Sequence, residues 1–524
     1  VRYGFVIDQR RCIGCHACTV ACKEENRVPL GAFRTWVKYI ERGTFPNTRR
    51  YFSVLRCNHC DSAPCVTICP TVALYRRADG IVDFDGARCI GCKSCMQACP
   101  YDALYIDPNT GTAAKCNYCA HRVEVGLEPA CVIVCPEQAI IAGDLDDPAS
   151  PIARIVGREA VQVRKAEQGT RPKVFYLGAD AAALTPELQA PAERYLWAER
   201  PREEVDLVKM VASAQRDPGA GVQTLSRPVY DVPHQVRPWG WKVSTYLWTK
   251  SIAAGAMLIA APAPQGSLFA IGAPALSLFF LAVTVALLIA DLKRPDRFLY
   301  IVLKPNWRSW LVWGAWIMMA FGGLCAVWLF AGWTGRWGVL HHALGPALLL
   351  AFATAGYSAF LFGQAEGRDF WQSPLVVPHL MVSAFLGGVA SLSVLWAVWP
   401  MSAPECRGTI LPPRCFDVDP TMPLWSLLLV ALMAHASLVG HELFHRHAVH
   451  DTALAARLIW RGAFRLRFWI GVGLGGVVLP LLLLIGGAVS GWMPLSTLGA
   501  LLALAGLWVW EDLWVKAGQS VPLS

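Results

Sequence analysis

Charge is scarce in this chain of 524 residues. Asp, Glu, Lys and Arg make up 16%, and no run of basic residues is interleaved with aromatics. That absence excludes a nucleic-acid surface of the usual kind, and a net charge of +9 on this length says little about partners. No twin-arginine or secretory pattern stands ahead of Cys12, and Val1 is what removal of an initiator Met would leave. Cysteine is nearly missing after residue 135, where only Cys325, Cys406 and Cys415 occur. Long apolar runs are missing from residues 1–240.

What is present is divided the same way. Sixteen of the nineteen cysteines lie before residue 136. Residues 244–510 carry repeated apolar runs, and they account for a mean hydropathy of +0.38, 55% apolar residues and many of the 22 Trp. Runs of about twenty residues match a hydrocarbon core of roughly 30 Å. The composition predicts a soluble head joined to a polytopic membrane half.

The cysteines fall into four groups. Cys12, Cys15, Cys18 and Cys22 are spaced C-x2-C-x2-C-x3-C, and Cys89, Cys92, Cys95 and Cys99 repeat that spacing. Between them stand Cys57, Cys60, Cys65 and Cys69, and after them Cys116, Cys119, Cys131 and Cys135 with a long gap before the last pair. Pro70, Pro100 and Pro136 each follow the final cysteine of a group. A disulfide scaffold would be needless in a head of this size, and zinc sites are normally built from separated C-x2-C knuckles. Three thiolates on one tight loop can instead wrap three irons of a cubane. The fourth, beside a helix-breaking proline, then reaches a second cubane.

The order of groups resembles the four-cluster electron-transfer subunits of molybdopterin oxidoreductases, such as the dimethyl sulfoxide, polysulfide and formate enzymes. Arg11-Cys12-Ile13-Gly14-Cys15 and Lys173-Val174-Phe175-Tyr176-Leu177-Gly178 belong to the same resemblance, which spans residues 3–180. It implies that groups one and four pair, and that groups two and three pair. One [4Fe–4S] cluster then takes Cys12, Cys15, Cys18 and Cys135, and its neighbour Cys116, Cys119, Cys131 and Cys22. The other two take Cys57, Cys60, Cys65 with Cys99, and Cys89, Cys92, Cys95 with Cys69. No ligand is missing, so four cubanes are expected.

Eight spans are expected at about 244–262, 267–290, 309–331, 341–362, 376–399, 422–443, 466–489 and 493–510. Asp291-Leu292-Lys293-Arg294-Pro295-Asp296-Arg297-Phe298 and Phe370-Trp371-Gln372-Ser373-Pro374 resemble the NrfD-type quinone-binding anchor of polysulfide reductase. That resemblance implies exchange of electrons with menaquinone or ubiquinone, and no haem. It makes Tyr357 the quinone tyrosine, with Lys250, Asp291 and His379 as supporting choices. Among ionisable groups near the hydrocarbon, each a functional candidate, His435, His441 and Glu442 are read as a proton path. Glu511 and Asp512 are read as headgroup residues, and Lys250 as a residue able to snorkel.

An even number of spans puts both ends of the bundle on the head's side. Lys293, Arg294, Arg297, Lys304, Arg308, Arg368, Arg446, Arg457, Arg461, Arg465 and Arg467 fall in loops on that side, against Arg336, Arg407 and Arg414 opposite. The positive-inside rule then puts the head in the cytoplasm of a prokaryote, below the inner membrane. Cys406 and Cys415 would face the oxidising side, where a disulfide is possible. A rival motif, His441-Glu442-Leu443-Phe444-His445, matches the H-E-x-x-H zinc-protease helix. Gly471, Gly473 and Gly476 match G-x-G-x-x-G but lie inside a span, where close helix packing accounts for them.

The expected fold is an α+β ferredoxin-like head of paired two-cluster units on an all-α eight-helix transmembrane bundle. Its parts are a head at 1–180, an extended proline-bearing linker or docking segment at 181–240 and a membrane domain at 241–515. The expected function is electron transfer between a membrane quinone and a catalytic molybdenum or tungsten pterin subunit, in a hetero-oligomer. The alternatives are a redox-driven proton pump and, more distantly, an intramembrane protease.

Overall fold

The structure, a computed structural model, describes residues 1–43, 47–189, 226–235, 237–262, 268–398 and 421–524, with only the backbone described at 421–423. In the head, strand Tyr3–Asp8 lies at the centre of a four-stranded sheet. It is parallel to Val174–Leu177 and antiparallel to Ile140–Asp144. Ile7 stands opposite Ile140. The residues leaving the first strand and those entering the other therefore share one end of the sheet. That register is what brings the loop of Cys12 to Cys135, more than a hundred residues away.

Groups one and three fold alike. Gly14 and Gly91, between the first two cysteines of each group, have φ of 71° and 67°, and His16 and Lys93 follow the second cysteine at 62° and 64°. Two left-handed residues in four curl the loop so that its thiols converge, and glycine takes such a turn at no steric cost. A Cβ at Gly14 would run into the Phe52 ring, and one at Gly91 would stand 2.6 Å from the Gly111 carbonyl oxygen. Short helices Ala17–Glu25 and Ser94–Ala98 follow these loops. A hairpin of Thr35–Arg42 and Arg49–Arg56 leads to Cys57, and strand Arg227–Tyr230 adds to its edge. Most of the expected linker lies outside the described residues.

The membrane half holds eight helices of 20 to 27 residues among the described residues. Seven of them are long and apolar enough to cross a membrane: Leu268–Asp291, Trp310–Trp333, Trp337–Gly363, Val376–Val398, Leu424–Phe444, Arg467–Ser490 and Met493–Gly518. The eighth, Trp241–Ala260, has the length but not the apolarity, since it carries Lys242, Ser244, Thr245, Thr249, Lys250 and Ser251. It packs against Ala273–Asp291, Trp337–Gly363, Val376–Val398 and Met493–Gly518, and fifteen of its 20 residues are buried. A helix shielded by its neighbours meets little lipid, so polar side chains cost less there. Exposed Trp307, Trp313 and Trp316 ring the end nearest the head, and Trp333, Trp337 and Trp492 the far end, as interfacial aromatics do.

Head and bundle share one core. Cys57, Ile68, Met96 and Leu104 of the head are continuous with Trp239, Leu247, Phe362, Trp371, Trp510 and Trp514. The expectation that the Arg-rich segment after Asp291 lies in a loop gains a reason. The Lys293 and Arg294 backbone N–H groups donate to the carbonyls of Gly91 and Ile90, and the Arg297 guanidinium donates to those of Gly86 and Cys89. Residues after the last helix also return to the head. The Arg368 guanidinium donates to the Gln519 and Val521 carbonyls, Arg164 to that of Leu523, and the Lys38 ammonium to that of Ser524.

Candidate functional site

The sixteen cysteines of the head are brought together in tetrads. Cys12, Cys15, Cys18 and Cys135 line one small cavity, Cys22, Cys116, Cys119 and Cys131 a second, and Cys69, Cys89, Cys92 and Cys95 a third. Cys57, Cys60, Cys65 and Cys99 form the fourth set, each within electrostatic reach of another of the set. The sets also lie within electrostatic reach of one another in series. Cys18 senses Cys131, Cys116 senses Cys57, and Cys95 senses Cys65. Cys15 of the first set is exposed, whereas every cysteine of the second and fourth sets is buried.

The donor sets fit iron–sulfur clusters better than single ions. Zinc–sulfur bonds of about 2.3 Å require thiolates packed tightly in a tetrahedron, and among the described residues no three His, Cys, Asp or Glu side chains stand that close. Rings of four thiols around a small central space suit a cubane instead. The sulfurs are also supplied with donors. Backbone N–H groups of Gly91 and Ala113 donate to Cys89 Sγ, that of Ala139 donates to Cys135 Sγ, and the Arg56 guanidinium donates to Cys131 Sγ at 3.1 Å. Burial pushes the thiols of Cys18, Cys92 and Cys116 up to about 12 and that of Cys99 to about 11. Such thiols ionise only when a bound metal centre compensates the charge.

Below the third tetrad lies a cavity of about 760 Å³, the size of a cofactor site. Cys92 forms part of its wall, together with Trp239, Tyr246, Asp291, Met318 and Tyr357, and the lining is mostly apolar. Of the four residues expected at a quinone, Tyr357 and Asp291 line this cavity. Lys250 sits just behind it, its ammonium 4.9 Å from the Tyr357 ring centroid and donating to Ser358 Oγ and the Ala355 carbonyl. Lys250 is fully buried, so it does not snorkel. Asp291 pairs with Lys93 of the third cysteine group at 2.7 Å.

His379 is absent from the cavity wall and belongs to a second cluster deeper in the bundle. Its Nδ1 faces Glu442 Oε2 at 3.1 Å, Trp510 Nε1 donates to its Nε2, and Glu511 Oε1 lies 3.7 Å away. Trp514 Nε1 donates to Glu442 at 2.7 Å. His435 packs edge-on against Trp510. Glu511 and Asp512 correct the expectation drawn from their position near a helix end, since both are buried rather than in headgroups. Asp512 is held by Arg467 and Lys516, while both carboxylate oxygens of Glu511 lack a hydrogen bond among the described residues.

His441 is exposed and stacks on His445 with ring centroids 4.6 Å apart, away from the buried side of the helix where Glu442 points. The H-E-x-x-H reading therefore falls: its glutamate is turned into the bundle, and among the described residues no third ligand joins the two histidines. Cys406 and Cys415 lie outside the described residues, as do Arg407 and Arg414.

Comparison with known proteins divides the sequence at the same place. A family described as "Polysulphide reductase, NrfD" matches residues 231–521, a 4Fe-4S dicluster domain matches residues 48–145, and a 4Fe-4S binding domain matches residues 10–26. A tetrathionate reductase subunit of Salmonella typhimurium is 50% identical over 202 residues, covering 38% of this chain and 80% of that protein. A polysulfide reductase component of Wolinella succinogenes is 41% identical over 179 residues, 33% of this chain and 93% of that one. The arsenate respiratory reductase iron–sulfur subunit of a Shewanella species is 34% identical over 227 residues, 34% and 96% of the two proteins.

Proposed function

This protein belongs to the polysulphide reductase NrfD family, with an iron–sulfur head joined ahead of its multi-pass membrane part, and from that premise we propose that it carries electrons between a membrane quinone and a catalytic subunit of a larger oxidoreductase. The observation that carries the proposal is the line of four cysteine tetrads, whose last member shares Cys92 with the wall of the membrane cavity. Four [4Fe–4S] clusters held by those tetrads would each take up and release one electron. The cysteine loops keep the thiolates in place while the backbone N–H donors offset their charge.

The two ends of the line differ in a way that assigns them. At the first tetrad, exposed Cys15 stands among exposed Ile13, Val20 and Ile133, the composition of a protein interface. A catalytic partner docks there. The names of the relatives support a reductase subunit as that partner, and the resemblance carried by the cysteine groups favours a molybdenum or tungsten pterin in it. At the other end, Tyr357 and Tyr246 offer hydroxyls to a quinone ring in an apolar cavity. Lys250, Glu511, His379, Glu442 and His435 supply a buried set of groups through which protons can reach it. A redox-driven proton pump is the second reading, favoured by the burial of Glu511 beside His379, and proton movement into sealed vesicles during turnover separates it from simple uptake.

The head is placed on the cytoplasmic side of a prokaryotic inner membrane, on narrower support than the loop charges first offered. Lys293, Arg294, Arg297, Arg368 and Arg467 are engaged by the head, the tail or Asp512, so docking explains them whichever way the protein faces. Lys304, Arg308, Arg446, Arg461 and Arg465 remain, against Arg336, Arg407 and Arg414 opposite. Labelling of single cysteines introduced at Lys304 and Arg336 in intact cells tests the side.

The function itself is tested by anaerobic mixing of the purified protein with a soluble quinol or quinone. Cluster EPR signals should rise with one and fall with the other. Signals indifferent to both, in protein that a dye reductant does reduce, would end the quinone half of the proposal.

A further inference from the structure

Arg56 is an arginine with no place to spend its charge. Its side chain is 1% exposed, and among the described residues it makes no ion pair with a carboxylate. Nη1 donates to Cys131 Sγ at 3.1 Å, and the guanidinium lies over the Phe5 ring, 4.5 Å from its centroid. Nε and Nη2 have no hydrogen-bond partner among the described residues. A buried cation left with two unsatisfied donors is costly unless an anion faces it.

The surroundings name that anion. Arg56 lines the cavity ringed by Cys22, Cys116, Cys119 and Cys131. The groups acting on its charge are the thiols of Cys131, Cys116 and Cys18, two from that ring and one from the neighbouring tetrad. Lys115 makes a useful contrast. It is as deeply buried, but its ammonium donates to the carbonyls of Val82 and Cys116, so its hydrogen bonds are supplied by the protein. Arg34, the other cation on the cavity wall, is engaged by Asn26 and Tyr105.

We propose that Arg56 is the fixed counter-cation of the cluster held by Cys22, Cys116, Cys119 and Cys131, and that it raises that cluster's reduction potential. The inference rests on the four-cluster reading above. A four-thiolate cubane is net anionic and gains one further negative charge when it accepts an electron, with no proton taken up. A guanidinium does not deprotonate, so a positive charge fixed against the cluster stabilises the reduced form more than the oxidised one. The two donors left without a partner among the described residues belong to a side chain that lines the cavity, where the sulfides of a cubane would accept them. Arg56 is thus a positioning and tuning residue, not a ligand.

Replacing Arg56 by Met removes the charge and keeps much of the volume, and Arg56→Lys keeps the charge without the fork. The readouts are iron content and an EPR-monitored redox titration of the purified full-length protein. With wild-type iron retained, R56M should lower one of four midpoints by at least tenfold in the reduction equilibrium, about 59 mV for one electron. R56K should restore most of it. Unchanged midpoints in R56M at full iron overturn the proposal. If R56M loses about four irons, recovery of iron and midpoint in R56K supports the charge role, and loss in both variants overturns it in favour of a packing role. Wild-type protein holding only about four irons would instead sink the four-cluster reading itself.

Discussion

His234 should make the junction between head and bundle pH-dependent on its alkaline side. Its Nδ1 lies 2.6 Å from Asp102 Oδ2 and its Nε2 3.2 Å from Asp231 Oδ1, and Asp231 in turn faces Lys38 at 3.5 Å. Lys38 also holds the Ser524 carbonyl, so one network ties the returning strand, the head and the C-terminal residues. Burial alone would lower the histidine, but the two carboxylates outweigh it and hold it up at about 10, against an ordinary 6.5. At roughly 1.4 kcal/mol per pH unit that difference has a ceiling of about 5 kcal/mol. The side chain keeps 23% exposure, and solvent screening brings the expected share to about 2–3 kcal/mol.

The sign follows from the direction of the shift. A group whose folded pKa is raised stabilises fully below its unfolded value and loses that contribution as pH climbs through the folded one. The His234 share is therefore complete below about 6.5 and gone above about 10. Asp231 works oppositely: burial raises it, Lys38 and His234 more than reverse this, and the net shift is downward. Its share fades only as pH falls below the ordinary carboxylate range. Hydrogen exchange of strand Arg227–Tyr230, corrected for intrinsic rate, should show protection dropping between about pH 7 and about pH 10.5. In His234→Gln it should be lower at the neutral end and nearly flat over that interval. Parallel profiles for the two proteins would refute the reasoning, because lysines and tyrosines titrate in both.

Three further outcomes follow from named contacts. At Gly255 a Cβ would collide with the Ala384 carbonyl and stand 2.8 Å from the Gly388 nitrogen, so Gly255→Val should part the two central helices and cost at least about 3 kcal/mol, read as a fall in detergent-solubilised yield and melting temperature. Tyr357→Phe removes a hydroxyl that faces Met318 Sδ at 3.7 Å; stability should change little, while quinone binding weakens roughly tenfold for one lost hydrogen bond. Arg297→Ala removes two charge-assisted bonds to Gly86 and Cys89, about 3 kcal/mol in all, and should raise protease sensitivity between head and bundle without changing iron content.

The tetrads were legible because their determinants are local. A tight C-x2-C-x2-C loop curls on left-handed Gly14 and His16, or Gly91 and Lys93, and in the second of these groups Pro100 follows the fourth cysteine. The helices were legible for the same reason, the span expected at about 244–262 among them. Trp241–Ala260 is polar for a span because its neighbours cover it, and no window on the sequence sees neighbours. Glu511 and Asp512 were misplaced on the same ground, since a carboxylate near a helix end looks like a headgroup residue until Trp510, Arg467 and Lys516 surround it. The H-E-x-x-H match was a distant alternative from the start, because a motif fixes spacing along a helix, not which side of it faces the bundle. Nothing in the pattern joins Lys38 to Ser524 or sets Arg56 between two tetrads. Those contacts come from the order of strands in the sheet and the return of the C-terminal residues to the head.

The electron relay requires four clusters in the head. Metal analysis with quantitative EPR on the reduced, purified full-length protein is the direct measurement. It should give about sixteen irons and about sixteen acid-labile sulfides, with four interacting centres. About four irons, or zinc in their place, would contradict it.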